Sequence, residues 1–293
     1  MYVLGLSYDN VGNFLEALGC RIVKATVWNN LQEAGEEALS LREKLEKEKV
    51  RIVGIDTTAF KVRGKKLTVA FLTDLIRGKP IEIEIMESRK ARTLKRKFQK
   101  LLQDLGVEVI VTDDAEEMEN LRDALPGIKR QICLAHLRKT VALRIREFTN
   151  KAEKMKDKAN KKEKEILQDL IRDVKSLREL VKKLPEGLEE KLRILHLRYS
   201  FAHTPKKGEK ADIFYRMRML TLRLWQRADE LDLYKKVGGD GTNNTTERLI
   251  GLCGKIRYKQ MRVFKSKESL NRFLKLNLYF QEQNREMDLT PLI

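Results

Sequence analysis

The order of elements between Arg51 and Leu134 constrains the fold of this chain more than any other feature. Arg51–Thr58 (RIVGIDTT), Lys66–Asp74 (KLTVAFLTD) and Pro80–Met86 (PIEIEIM) are short apolar runs, separated by gaps that hold Gly64 and then Gly78 and Pro80. Such runs between turn residues predict strands, and the short gaps predict two antiparallel hairpins. An amphipathic stretch over Ala91–Leu105 predicts a helix ending at Gly106, a residue suited to the C′ position. Val107–Thr112 (VEVIVT) is almost wholly apolar, as for a strand buried on both faces. A helix near Glu116–Ala124, a strand at Lys129–Ile132 and a helix from Leu134 complete the series.

Three strands in a meander, then alternating helices and strands, is the element order of a ribonuclease H-like α/β fold. Its mixed sheet is antiparallel on one side and parallel on the other. Residues 51–137 form the first part of this core, and residues 237–293 return to it. Between them, residues 138–236 carry no strand pattern and read as an all-α insertion. Its helices are expected near Arg138–Asn160, Lys161–Lys183, Glu186–Phe201 and Lys210–Lys236, with Trp225 in their core. Ahead of the core, residues 1–33 read as a helix-turn-helix. Tyr8–Leu18 follows the N-cap Ser7, Gly19 and Cys20 break the pattern, and Ala25–Leu31 resumes it. The second helix of such a pair can enter a major groove, which singles out Lys24 and Thr26 at its start. An ordinary αα-hairpin is the plainer alternative. Residues 34–50 are expected to form a separate linker helix, roughly Gln32–Lys49.

Charge narrows the partner. The 293 residues carry a net +18, yet residues 1–50 are at −2, while residues 138–236 hold 28 basic and 16 acidic side chains, a net of +12. A single lysine-rich helix is usually a solvated face, but a one-sign field of this size attracts nucleic acid. Three cysteines (Cys20, Cys133, Cys253) cannot build a disulfide framework, no run is long and apolar enough for a membrane span, and no signal peptide opens the chain. The expectation is a soluble intracellular protein with a polyanionic partner and no membrane.

Three carboxylates stand out by position. Asp56 lies within the apolar first strand, where a charge is costly unless paired, hydrogen-bonded or bound to metal. Asp113 directly follows VEVIVT, at a strand end where open α/β sheets place ligands. Glu247 comes 134 residues later, near the start of a helix expected over Thr245–Lys255. In a ribonuclease H-like sheet the first and fourth strands are neighbours, so Asp56 and Asp113 should meet. Converging carboxylates suit two hard cations such as Mg²⁺ that act on a phosphodiester. After Glu247, the residues Arg248, Lys255, Arg257, Lys259, Arg262, Lys265 and Lys267 follow without an acidic residue between them, interleaved with Tyr258 and Phe264. That tract is suited to a DNA backbone. Asn243 and Asn244 could contact DNA or cap the helix presenting Glu247.

The segments GIDTTAFKVRGKK (54–66), VIVTDDAEEM…QICLAHLRK (109–139) and GTNNTTERLIGLCGKIRYKQMRVFKS (241–266) resemble the DDE transposases of prokaryotic insertion sequences, in the Mutator-like group. The resemblance implies Asp56, Asp113 and Glu247 as the metal-binding catalytic triad for two Mg²⁺ or Mn²⁺ ions. It implies double-stranded DNA, as element ends and target, as substrate of a homo-oligomer acting on the prokaryotic nucleoid. Cys133 and His136 match the C-x-x-H motif of this group, although read physically they are half a zinc site and are better explained by packing. Two departures stand beside the likeness. The chain begins six residues before the helix-turn-helix, and Val263 stands where the group often has Gly. Both leave open a truncated or catalytically silent DNA-binding remnant.

Overall fold

Ser7 opens the first helix as expected: its hydroxyl accepts from the Asn10 amide at 3.0 Å, and α1 covers Tyr8–Ala17. The computed structural model describes residues 6–44, 48–115, 118, 121–255 and 264–282. Helix α2 covers Lys24–Lys44 without interruption, so the expected second short helix and linker helix are one element. No breaker separates Leu31 from Gln32, and the one internal glycine, Gly35, is tolerated within a helix.

Strand β1 runs over Ile52–Val62, past the expected end at Thr58. Phe60 and Val62 keep the inward alternation, and Arg63 and Gly64 (φ 47° and 80°) make the turn into β2, Lys65–Asp74. Two consecutive positive φ values give a turn whose twist matches the strands of a hairpin. Strand β3 covers Pro80–Met86, α3 Ala91–Asp104, β4 Val109–Thr112, α4 Leu121–Ala124 and β5 Lys129–Ile132. The five strands lie in the order β3-β2-β1-β4-β5, with β1–β2 and β2–β3 antiparallel and β1–β4 parallel. The sheet is mixed, and its topology is ribonuclease H-like.

The chain divides into two compact units, residues 1–130 with 242–293, and residues 131–241. The second is helical: α5 Leu134–Lys156, α6 Lys161–Lys183, α7 Leu188–Leu197, α8 Ile213–Trp225, a 3₁₀ turn at Ala228–Glu230 and α9 Tyr234–Val237. A capping box of Asn160 and Glu163 starts α6, and Leu170, Val174 and Leu177 bury its apolar seam against Val141, Ile145 and Phe148 of α5. Within this unit the Tyr199 hydroxyl donates to Asp173 at 3.0 Å, and Arg198 donates to the same carboxylate at 2.7 Å. Burial, then the Asp173 charge, pushes the Tyr199 phenol far above its ordinary value. A phenol held protonated only in the folded state loses its stabilising effect as pH rises above about 10. Thermal unfolding of wild type should therefore fall more steeply above that pH than that of Tyr199→Phe.

Returning to the first unit, α10 covers Asn244–Ile250, a π-helical turn covers Gly251–Lys255, and α11 covers Lys267–Glu282. One face of the sheet (Val53, Ile55, Ala70, Leu72) packs on α3 through Leu94 and Phe98. The other (Phe60, Val62, Val69, Phe71) packs on Leu249, Ile250 and Phe273. Phe264, in the tract read as DNA-facing, is instead buried here, 6.2 Å from Phe60 and 5.4 Å from Phe273 between ring centroids. Helix α2 packs along α11 with Gly35 against Arg272, where an added Cβ would stand 2.9 Å from that of Arg272.

Helix α11 also covers the edge strand β3. Lys275, its side chain 5% exposed, donates to Glu82 at 2.6 Å and to Glu84 at 2.7 Å. Removing the cation leaves two half-buried carboxylates facing each other. Lys275→Met should lower the unfolding free energy by about 2 kcal/mol, and adding Glu82→Gln and Glu84→Gln should restore most of it in urea melts. No helix among the described residues is long and apolar enough to cross a membrane.

Candidate active site

Strand period places the first carboxylate. Side chains alternate along β1, so Gly54, Asp56, Phe60 and Val62 share the face that packs on α10, while Val53 and Ile55 lie under α3. Asp56 is half-buried, and its Oδ1 accepts from the Thr57 amide at 2.6 Å. Strand β4 pairs with β1 in parallel, with Ile52 level with Val109 and Gly54 with Val111. Two residues further on in each chain stand Asp56 and Asp113. The register therefore directs the first two candidates to the same end of the β1–β4 pair.

Asp113 is the first residue beyond β4, where strand pairing with β1 has ended. Its carbonyl accepts from the Arg130 guanidinium at 2.9 Å and from the Thr112 hydroxyl at 3.1 Å. On the exposed side, Arg89 donates to the Thr57 carbonyl at 3.1 Å, one residue from Asp56.

Glu247 sits in the first turn of α10. Asn243, at the N-cap position, does not cap the helix through its side chain; it is 1% exposed, and its amide donates to the Ile55 carbonyl at 3.0 Å. The helix can approach this closely because residue 54 is glycine. A Cβ there would stand 2.2 Å from Asn243 Oδ1 and 2.3 Å from Thr246 Oγ1. Helix α10 is thus clamped onto β1 two residues before Asp56, with Glu247 one helical turn beyond the clamp and its side chain exposed. Sequence reasoning misses Gly54, since the glycine before the aspartate has no local signature of a contact nearly two hundred residues away.

The donor chemistry fits a hard divalent cation: oxygen ligands only, with Asp56 and Asp113 at the same end of the β1–β4 pair and Glu247 on a helix fixed to β1. As the side chains stand, no group of three or more His, Cys, Asp or Glu among the described residues is gathered to hold a metal ion. Cys133 Sγ lies 3.3 Å from His136 Nδ1, with the thiol buried and the pair one helical turn apart at the start of α5. Two open clefts of about 580 and 590 Å³ lie within the helical unit and share Ile166 and Phe201.

Of the candidate DNA contacts, Thr26, Asn244, Arg248, Lys255 and Lys265 are exposed, as is Lys24, which pairs with Asp9 at 2.8 Å. The Lys265 carbonyl accepts from Arg63 at 2.6 Å, tying the basic tract back to the end of β1. Arg257, Lys259 and Arg262, with Tyr258, lie outside the described residues.

No protein-family model matches the chain, and a comparison with curated proteins finds no match. Among solved structures, the chain is similar to the catalytic core domain of HTLV-2 integrase in complex with magnesium, in its trimeric form. The two are 16% identical, with 43% of this chain and 83% of that chain covered at a TM-score of 0.26. It is also similar to the catalytic core domain of BIV integrase, 12% identical, with 59% and 96% covered at a TM-score of 0.25. With scores this low, the fold rests on strand order and pairing.

Proposed function

We propose that the chain is a metal-dependent polynucleotidyl transferase of the DDE type, a DNA transposase that cuts the ends of its element and joins the freed 3′-OH to target DNA. The observation that carries this reading is the parallel β1–β4 register, Gly54 level with Val111, which sets Asp56 on β1 and Asp113 just past β4 at the same end of the pair, beside a helix, clamped at Gly54, that bears Glu247. Asp56 and Asp113 would hold two Mg²⁺ or Mn²⁺ ions between them, and Glu247 would complete one site. Bound there, the ions supply Lewis acidity for the charge that develops on a phosphodiester during in-line displacement.

The chain's own groups do the rest. The Thr57 amide holds Asp56 in one rotamer, and Asn243 fixes the helix that carries Glu247. Arg89, Asn244, Arg248, Lys255 and Lys265 present donors to a DNA backbone around the carboxylates, and Arg257, Lys259 and Arg262 extend the same tract. The N-terminal helix pair reads duplex DNA through Lys24 and Thr26, and the basic helical unit adds sequence-independent grip. Paired DNA ends call for a homo-oligomer, acting on the nucleoid of a prokaryotic cell. The exposed carboxylate of Glu247 favours one second reading: a DNA-binding remnant that keeps the fold without the chemistry.

Supercoiled plasmid, a labelled duplex oligonucleotide with a free 3′-OH, and Mg²⁺ or Mn²⁺ separate these readings. A transposase nicks the plasmid and joins the label to it. Hydrolysis without joining reduces the protein to a nuclease, and binding with neither product leaves the remnant.

A further inference from the structure

Arg130 is among the largest fully buried side chains of the protein, 2% exposed in β5. Its Nε donates to Thr112 Oγ1 at 2.9 Å, and its terminal nitrogen donates to the Asp113 carbonyl at 2.9 Å; the Thr112 hydroxyl donates to that same carbonyl at 3.1 Å. Burying a guanidinium costs several kcal/mol, and an apolar side chain would fill the same interior at less cost. The arrangement it secures is local and specific. At Thr112 the chain leaves strand β4, and from there no ladder bond to β1 fixes the backbone. A planar fork reaching both residues across the neighbouring strand fixes it instead, which a flexible ammonium cannot do with the same geometry.

We infer that Arg130 is a positioning residue for Asp113, and through it for cation binding at the carboxylates. This rests on the metal-dependent reading above. The fork pins the peptide that follows Asp113, so the direction in which that carboxylate leaves the chain is set before any cation arrives. Sequence reasoning misses Arg130, since its partners Thr112 and Asp113 lie 18 and 17 residues away on the neighbouring strand and its exit.

The test compares wild type with Arg130→Gln and, as a milder variant, Thr112→Val, which removes the acceptor for Nε while leaving the arginine in place. Folding is followed by circular dichroism, Mn²⁺ binding by calorimetry, and plasmid nicking as a function of Mg²⁺ concentration. Outer groups that orient metal ligands are worth about 10- to 100-fold in metal affinity. Arg130→Gln should therefore weaken Mn²⁺ binding and raise the Mg²⁺ requirement for nicking by at least about tenfold, with much of the rate recovered at saturating Mg²⁺. Thr112→Val should shift both in the same direction by a smaller factor, and it decides the matter if Arg130→Gln does not fold. A merely structural arginine would lower the amount of folded protein without moving the metal dependence. Folded variants with wild-type Mn²⁺ affinity and Mg²⁺ requirement would overturn the inference. If wild type binds Mn²⁺ but cuts nothing, the transferase reading fails, while the role of Arg130 still stands or falls on the calorimetry.

Discussion

Gly54→Ala is expected to abolish most DNA cleavage and to destabilise the first unit, although it adds only a single methyl group. The new Cβ would stand 2.2 Å from Asn243 Oδ1, 2.3 Å from Thr246 Oγ1 and 2.8 Å from Leu75 Cδ2. Thr246 is fully buried and Asn243 nearly so, and Asn243 is held by Ile55, so none of these atoms can rotate freely away. The helix must lift from β1, which breaks the Asn243 bond to Ile55 and carries Glu247 with it. Overpacking of this kind costs about 1–3 kcal/mol, and a displacement of about 1 Å at a catalytic group can cost on the order of 10²-fold in rate. Gly251→Ala is the matched control: it changes the same region, but a Cβ there meets nothing within 4 Å. A Gly54→Ala protein with wild-type nicking rate and urea midpoint would show that α10 does not need this approach.

The second large effect concerns charge alone. Asp56→Asn and Glu247→Gln keep the shape of each side chain and remove its negative charge. In Asp56→Asn the new amide oxygen can still accept from the Thr57 N–H, so the local strand geometry should persist. Glu247 is exposed, and its neutral variant should change stability by less than about 0.5 kcal/mol. Each variant should nonetheless lower Mg²⁺-dependent cleavage by about 10³-fold or more, since cation-based charge stabilisation is worth several kcal/mol and each 1.4 kcal/mol is tenfold. The losses should be far from additive, because groups that act as a unit fail together. Nicking rates of the single and double variants, measured alongside circular dichroism, check this.

What the sequence revealed, and what it hid, follows from the reach of each signal. Strands β3 and β5 have the expected bounds because turn residues and strand-forming side chains mark them locally. Strand β1 extends past Thr58 because Arg63, a non-glycine residue at φ 47°, helps Gly64 make a turn that composition alone does not announce. Periodicity predicts that the helix bearing Glu247 runs unbroken to Lys255, yet it changes to a π turn at Gly251. There Gly254 packs on Phe60, and a Cβ would meet that ring at 2.5 Å. Phe264 lies in a strongly basic stretch, so its burial beside Phe60 and Phe273 could not be read from neighbours in sequence.

The candidate site divides along the same line. Asp56 and Asp113 are legible because one lies within an apolar strand and the other directly follows one, where charge is conspicuous, and strand order then sets those two strands side by side. The supports around them are not. Gly54 meets Asn243 and Thr246, Arg130 reaches Thr112 and Asp113, and Lys275 reaches Glu82 and Glu84, all through contacts between residues remote in sequence. Only the folded chain brings those pairs together.

The central claim is that Asp113 serves metal-dependent phosphodiester chemistry and not the fold alone. Nicking of supercoiled plasmid by Asp113→Asn in Mg²⁺ tests it most directly, with circular dichroism confirming an intact fold. The expected result is a folded, DNA-binding protein whose nicking is lost. A folded Asp113→Asn that nicks at the wild-type rate would contradict the account.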